Sequence, residues 1–236
     1  MKKSLFTLAL LAVSYGAFAQ TATAAAPATS ATAAVPAGYS EMLGATINQV
    51  MHTGDAAELK SLAAKLERAA TAAPADWLPR YYQAYALLIN VFQSKDNGDA
   101  KDATLDQAEA ALAQARQRQG DESELLTLQA YIYQARLGIS PMLRSAKYSR
   151  MVTEAVAKAK ALNPANPRLY LVGANNVYFT PAIFGGGAEP AKPLYEEAKA
   201  KFAAFRPASP LAPSWGQGQL LSRLKQYEVA TASGTK

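Results

Sequence analysis

The stretch LDQAEAALAQARQRQG, residues 105–120, decides the fold. Leu105, Ala108, Leu112 and Ala115 recur three and four apart, which lays one apolar stripe along a helix, and Gly120 then ends it. The core of this spacing recurs on both sides. In LAAKLERAATAAP (62–74), Leu62, Leu66 and Ala69 lead to Pro74. In VTEAVAKAKALNP (152–164), Val152, Val156 and Ala159 lead to Pro164. Ala191, Tyr195 and Ala198 repeat the spacing once more. The breakers Pro74, Gly120, Pro164 and Pro207 stand 46, 44 and 43 residues apart. Nowhere do apolar and polar residues alternate over a strand's length, so the pattern predicts an all-α chain.

Each of these helices is preceded by another with its own shared positions. They are Leu43-Gly44 and Ile47; Leu78, Tyr81-Tyr82 and Tyr85; Leu125, Leu128-Gln129 and Ile132; Leu169, Val172-Gly173 and Asn176. On these positions the chain resembles the tetratricopeptide repeat (TPR) family, in which small residues let helices approach and a large one fills the gap. The resemblance covers residues 38–206. It implies a TPR-like helical hairpin repeat array of about four units, closed by a C-terminal capping helix at about 215–229. The family repeat has about 34 residues. These units are longer, and the surplus is expected in loops at 94–101 and 138–144. A narrower resemblance rests on Asn166-Pro167-Arg168, Thr180-Pro181, Phe184-Gly185-Gly186-Gly187 and Pro213-Ser214-Trp215-Gly216. Together they are similar to small, uncharacterised exported TPR proteins of Bacteroidetes. The glycine loop is also similar to periplasmic repeat proteins associated with solute transporters.

The ends read differently. Lys2 and Lys3, the apolar run Leu5 to Val13 and the small-residue site Ala17-Phe18-Ala19 form a signal peptide over 1–19, with an apolar run too short to span a bilayer. Residues 20–37 are an Ala/Thr/Pro linker too poor in large apolar residues to order itself. A helical domain is expected over 38–229 and a frayed tail over 230–236. Losing Lys2 and Lys3 takes the formal charge from +6 to +4, and the basic residues are interspersed with acidic ones. That pattern does not suit nucleic acid. No cysteine is present, which excludes disulfides, thiolate metal sites and a lipid anchor on cysteine.

No catalytic signature stands out. His52 is the one histidine and is expected on the surface near a helix end. Asp121-Glu122-Ser123-Glu124 reads as a helix cap, with Glu124 reaching back in a capping box. Phe184-Gly185-Gly186-Gly187 reads as a tight turn needing positive φ, with Phe184 buried as a plug. Trp215 is expected to anchor the capping helix. The TPR resemblance implies a concave groove lined by the first helix of each unit, and it carries the groove positions to Arg80, Gln83, Tyr133, Gln134 and Tyr178. Phe184 and Trp215 complete the candidate binding residues.

The expected function is therefore non-enzymatic: an exported interaction protein, periplasmic or secreted, holding a peptide or protein partner in the groove, without cofactor or metal. The alternative is a periplasmic small-molecule binding module serving transport, built around the glycine loop with Tyr178 and Phe184. Mass spectrometry of the native protein should find Gln20, or its cyclised form, at the mature terminus; an intact Met1 in the membrane fraction would overturn the export assignment.

Overall fold

The computed structural model of the protein describes residues 35–233, with side chains through residue 229. The signal segment 1–19, most of the linker and the side chains of the tail lie outside the described residues. Among the described residues there are nine α-helices and no strand. They are α1 (Tyr39–His52), α2 (Ala56–Ala72), α3 (Leu78–Gln93), α4 (Gly98–Gln117), α5 (Glu122–Ile139), α6 (Pro141–Leu162), α7 (Pro167–Phe179), α8 (Ala188–Ala204) and α9 (Gln217–Ser233). Consecutive helices from α1 to α9 pack together, and α1, α3, α5 and α7 also touch in that order. No described helix is long and apolar enough to cross a membrane.

The helices start where side chains replace missing backbone partners. Asp55 caps α2, Asn97 caps α4, Asp121 caps α5 and Asn166 caps α7, each accepting from a backbone N–H in the first turn. The recurrent small and large residues are the ones that meet. Leu62, Leu66 and Ala69 are buried, as are Ala108, Leu112 and Ala115, Val152 and Ala159, and Ala191, Tyr195 and Ala198.

Two expectations about local structure are corrected. The surplus residues do not form long loops, because Asn97 starts α4 at Gly98, and Ser140 alone separates the end of α5 at Ile139 from the start of α6 at Pro141. The extra length instead makes α4 and α6 the longest described helices, at 20 and 22 residues. Glu124 does not reach back to Asp121. It is 6% exposed and forms a bidentate ion pair with Arg168 of α7, itself 1% exposed.

Around that pair the C-terminal segment is tied down. Tyr81 of α3 donates from Oη to Glu124 Oε2 at 3.2 Å, and Trp215 Nε1 donates to Tyr81 Oη at 2.8 Å. The Trp215 ring stacks between Tyr85 of α3 and Tyr131 of α5, with centroids 5.2 and 5.5 Å away. Phe205 lies 4.6 Å from the Arg168 guanidinium. Tyr82 Oη donates to the carbonyls of Leu211 and Ala212 at 3.2 and 3.0 Å. Leu211 reaches α1, where a methyl on Gly44 would stand 3.3 Å from it. Gly216, at φ +103°, supplies the left-handed turn into α9.

Replacing Glu124 with Gln should strand the buried Arg168 charge and cost roughly 3–5 kcal/mol, read as a lower urea midpoint. Enlarging the fully buried Ala115 or Ala159 to Leu should cost about 1–3 kcal/mol by overpacking. Unchanged midpoints in all three variants would mean that these contacts do not support the fold.

Candidate functional site

The face expected to be an open groove is filled by the chain itself. Residues 205–216, between α8 and α9, make the contacts to α1, α3, α5 and α7 described above. The inward positions are Tyr81, Tyr82, Tyr85, Glu124, Tyr131 and Arg168. Burial raises the Tyr81 phenol well above its ordinary value and pushes Tyr131 up to about 12, so both remain neutral hydroxyls.

The groove positions carried from the TPR resemblance are corrected accordingly. Arg80 and Gln83 are buried at 9% and 8% exposure. Arg80 donates to Gln83 Oε1 at 2.6 Å and to Glu67 of α2 at 3.1 Å. Each helical residue turns by about 100°, so Arg80 cannot share the face of Tyr81 and Tyr85. Tyr133 is half-buried beside Tyr148 of α6, at 6.0 Å. Gln134 donates to the Val172 carbonyl of α7 at 2.6 Å. Trp215 is 2% exposed and offers no surface to a partner.

Two of the seven candidates, Tyr178 and Phe184, lie at the turn from α7 towards α8, where Phe184 is exposed and Tyr178 half-buried. Tyr178 sits at the end of α7, and Phe184 closes a single 3₁₀ turn, Ala182–Phe184, just after it. Phe184 is not a plug but 74% exposed, with Ile183 at 85% and Phe179 at 63%. The glycines explain this. Gly185 and Gly187 hold positive φ at +81° and +107°, and a side chain on Gly186 would collide with the Thr180 carbonyl. Gly187 N–H donates to Val177 O at 3.0 Å, which pins the loop against α7 while Phe184 projects outward.

Tyr178 stands edge-on to Phe179 at 5.0 Å and packs near Tyr195 of α8 and Tyr227 of α9. The Arg223 guanidinium of α9 lies 4.1 Å from the Tyr178 ring and 5.5 Å from Phe179. It donates to Gln226 Oε1 at 2.7 Å and is also hydrogen-bonded with Tyr195 of α8. No ion pair among the described residues uses Arg223. This corner combines flat apolar surface with a cation, which suits a flat apolar molecule bearing negative charge. Phe179 and Ile183 were visible in the sequence as large apolar residues beside a proline and glycine turn. Arg223 carried no such signal, because only the packing of α9 brings it there.

A second concavity of about 290 Å³ lies between α6, α7 and α8. Val152, Val156, Leu169, Val177 and Leu194 supply aliphatic walls, and Lys160 and Glu197 stand among its lining residues. Among the described residues no group of three or more His, Asp or Glu side chains is placed to hold a metal ion. His52 is exposed at the end of α1, its Nδ1 2.8 Å from the Asn48 carbonyl.

Neither a protein-family model nor a curated protein sequence matches the chain. Among solved structures it is similar to the HusA haemophore from Porphyromonas gingivalis, with 32% sequence identity and a TM-score of 0.73. The match covers 83% of this chain and 96% of that one. Identity and coverage at this level extend the likeness beyond a shared helical fold: the chain belongs to the family of the HusA haemophore.

Proposed function

We propose that this protein is an exported, non-enzymatic small-molecule carrier whose ligand is a tetrapyrrole of the haem class. The observation that carries the reading is the set of exposed side chains Phe179, Ile183 and Phe184 at the end of α7, with half-buried Tyr178 and Phe179 beside Arg223, in a chain 32% identical to a haemophore. The aromatic and aliphatic side chains would cover the macrocycle, and Arg223 would meet a propionate. The 290 Å³ cleft falls just below the ~300–1,000 Å³ typical of drug-sized ligands, too small to enclose a macrocycle whole.

The residues fit the porphyrin ring better than its iron. His, Cys and Met are common axial ligands of haem iron and Tyr a rarer one. The chain has no cysteine, its one histidine is on α1, and the corner contains no methionine. Tyr178 supplies an oxygen there, so recognition rests on the ring and its carboxylates. The helical hairpins are, in this reading, a TPR-like scaffold. A peptide in the groove is the weaker reading, because residues 205–216 occupy that face. Arg80, Gln83 and Trp215 are then assigned to folding. Tyr133 and Gln134 join α5 to its neighbours.

Titrating the mature protein with haemin should shift its Soret band at one equivalent. Iron-free protoporphyrin should bind within several-fold of haemin. Phe184→Ser and Arg223→Gln should each keep the melting temperature and weaken binding, with an aromatic anchor worth about 2 kcal/mol. Absence of any Soret change, or full affinity in both variants, would remove the corner as the site.

A further inference from the structure

We propose that the cleft between α6, α7 and α8 is a second ligand site, distinct from the aromatic corner, and that it takes a slender aliphatic carboxylate. The cleft opens on the surface where two buried cores adjoin, with Thr153, Ala157, Lys160 and Glu197 of its lining exposed. One buried core runs from α1 into α6 and takes in Val172 of α7, another joins Ala159 of α6 to α7, α8 and α9, and Val156 packs against both. Between them about 290 Å³ is left open, walled mainly by valine, leucine and alanine, with Tyr170 as the one aromatic residue in the lining. Water in such a space finds few partners, whereas an alkyl chain gains by leaving water.

Gly173 supports a space that is kept rather than left over. It lies inside α7, where glycine is less stable than alanine. A methyl there would meet only Val156 Cγ1, at an ordinary 3.6 Å. Close helix packing therefore does not require glycine at this position, and its effect is to widen the cleft. The aliphatic walls suit a slender alkyl chain rather than a ring system.

The rim selects the head group. Lys160 Nζ sits 4.8 Å from the centre of the Tyr170 ring, and Lys201 Nζ lies 4.9 Å from the same ring. Their one close carboxylate is Glu197, 3.9 Å from Lys160, with both side chains about half exposed at 52% and 45%. A pair so open is weak. Lys160 can thus exchange Glu197 for a ligand carboxylate, while Lys201 is held by the Pro164 carbonyl at 3.2 Å. Asn176 and Thr153 line the cleft as neutral polar groups and hydrogen-bond to each other at 3.3 Å.

The test uses the mature chain with decanoate and decanol, each below its aggregation limit, read by calorimetry and by melting temperature. Decanoate should bind one to one and raise the melting temperature. Lys160→Gln should bring decanoate affinity down to that of decanol without changing decanol. Ala157→Leu, which fills the cleft from its exposed α6 side, should abolish both and leave haemin titration unchanged. Phe184→Ser should leave decanoate binding intact. The proposal is overturned if neither probe binds stoichiometrically, if Ala157→Leu binds normally, or if Phe184→Ser abolishes decanoate binding. Because haemin is titrated separately, failure here is distinguishable from failure of the haem-class reading.

Discussion

The arrangement depends on one buried ion pair, Glu124 with Arg168. Taking both charges out of water costs several kcal/mol each, and only close, bidentate geometry with further hydrogen bonds offsets that. Tyr81 supplies one of those bonds and Phe205 covers the guanidinium face. The pair joins α5 to α7, Tyr81 brings in α3, and Trp215 brings in the C-terminal segment. Four parts of the chain distant in sequence therefore meet at one charge.

That convergence determines which surfaces are free. A helical array with an open concave face would offer its aromatics to a peptide. Here the face is closed, with Trp215 stacked between Tyr85 and Tyr131 and the Leu211 and Ala212 carbonyls held by Tyr82. Interaction energy that could hold a partner is used to hold the protein's own C-terminal segment. Besides Phe92, Met142, Leu143 and Leu162, apolar surface is exposed at the end of α7 and in the cleft beside α6. Both border the last hairpin, where the two interior cores separate.

The glycine loop shows how a structural device becomes a surface. Its positive-φ glycines and the Gly187 bond to Val177 are explained by the need to turn from α7 into α8 within a few residues. Gly186 lies so close to Thr180 that any side chain there would collide with its carbonyl. Phe184 and Ile183 are exposed on this turn, and the guanidinium of Arg223 lies against Tyr178 and Phe179 at the helix end before it.

From the sequence alone, the helical class, the four paired helices and the small-and-large positions where they meet were legible, because helix pairing depends on spacings within about ten residues. The cap at Asp121 was legible for the same reason. The role of Glu124 was not, because its partner lies 44 positions away and a capping box and a buried ion pair use the same residue type. The length of α4 and α6 was misread because a cap at Asn97 and a proline at 141 start helices as readily as they shape loops. Only the tertiary structure decided which faces of α3 and α5 point inward, that the groove is filled from residues 205–216, and that Arg223 meets Tyr178. Each is a contact between segments far apart in sequence, selected by packing and charge burial rather than by local periodicity.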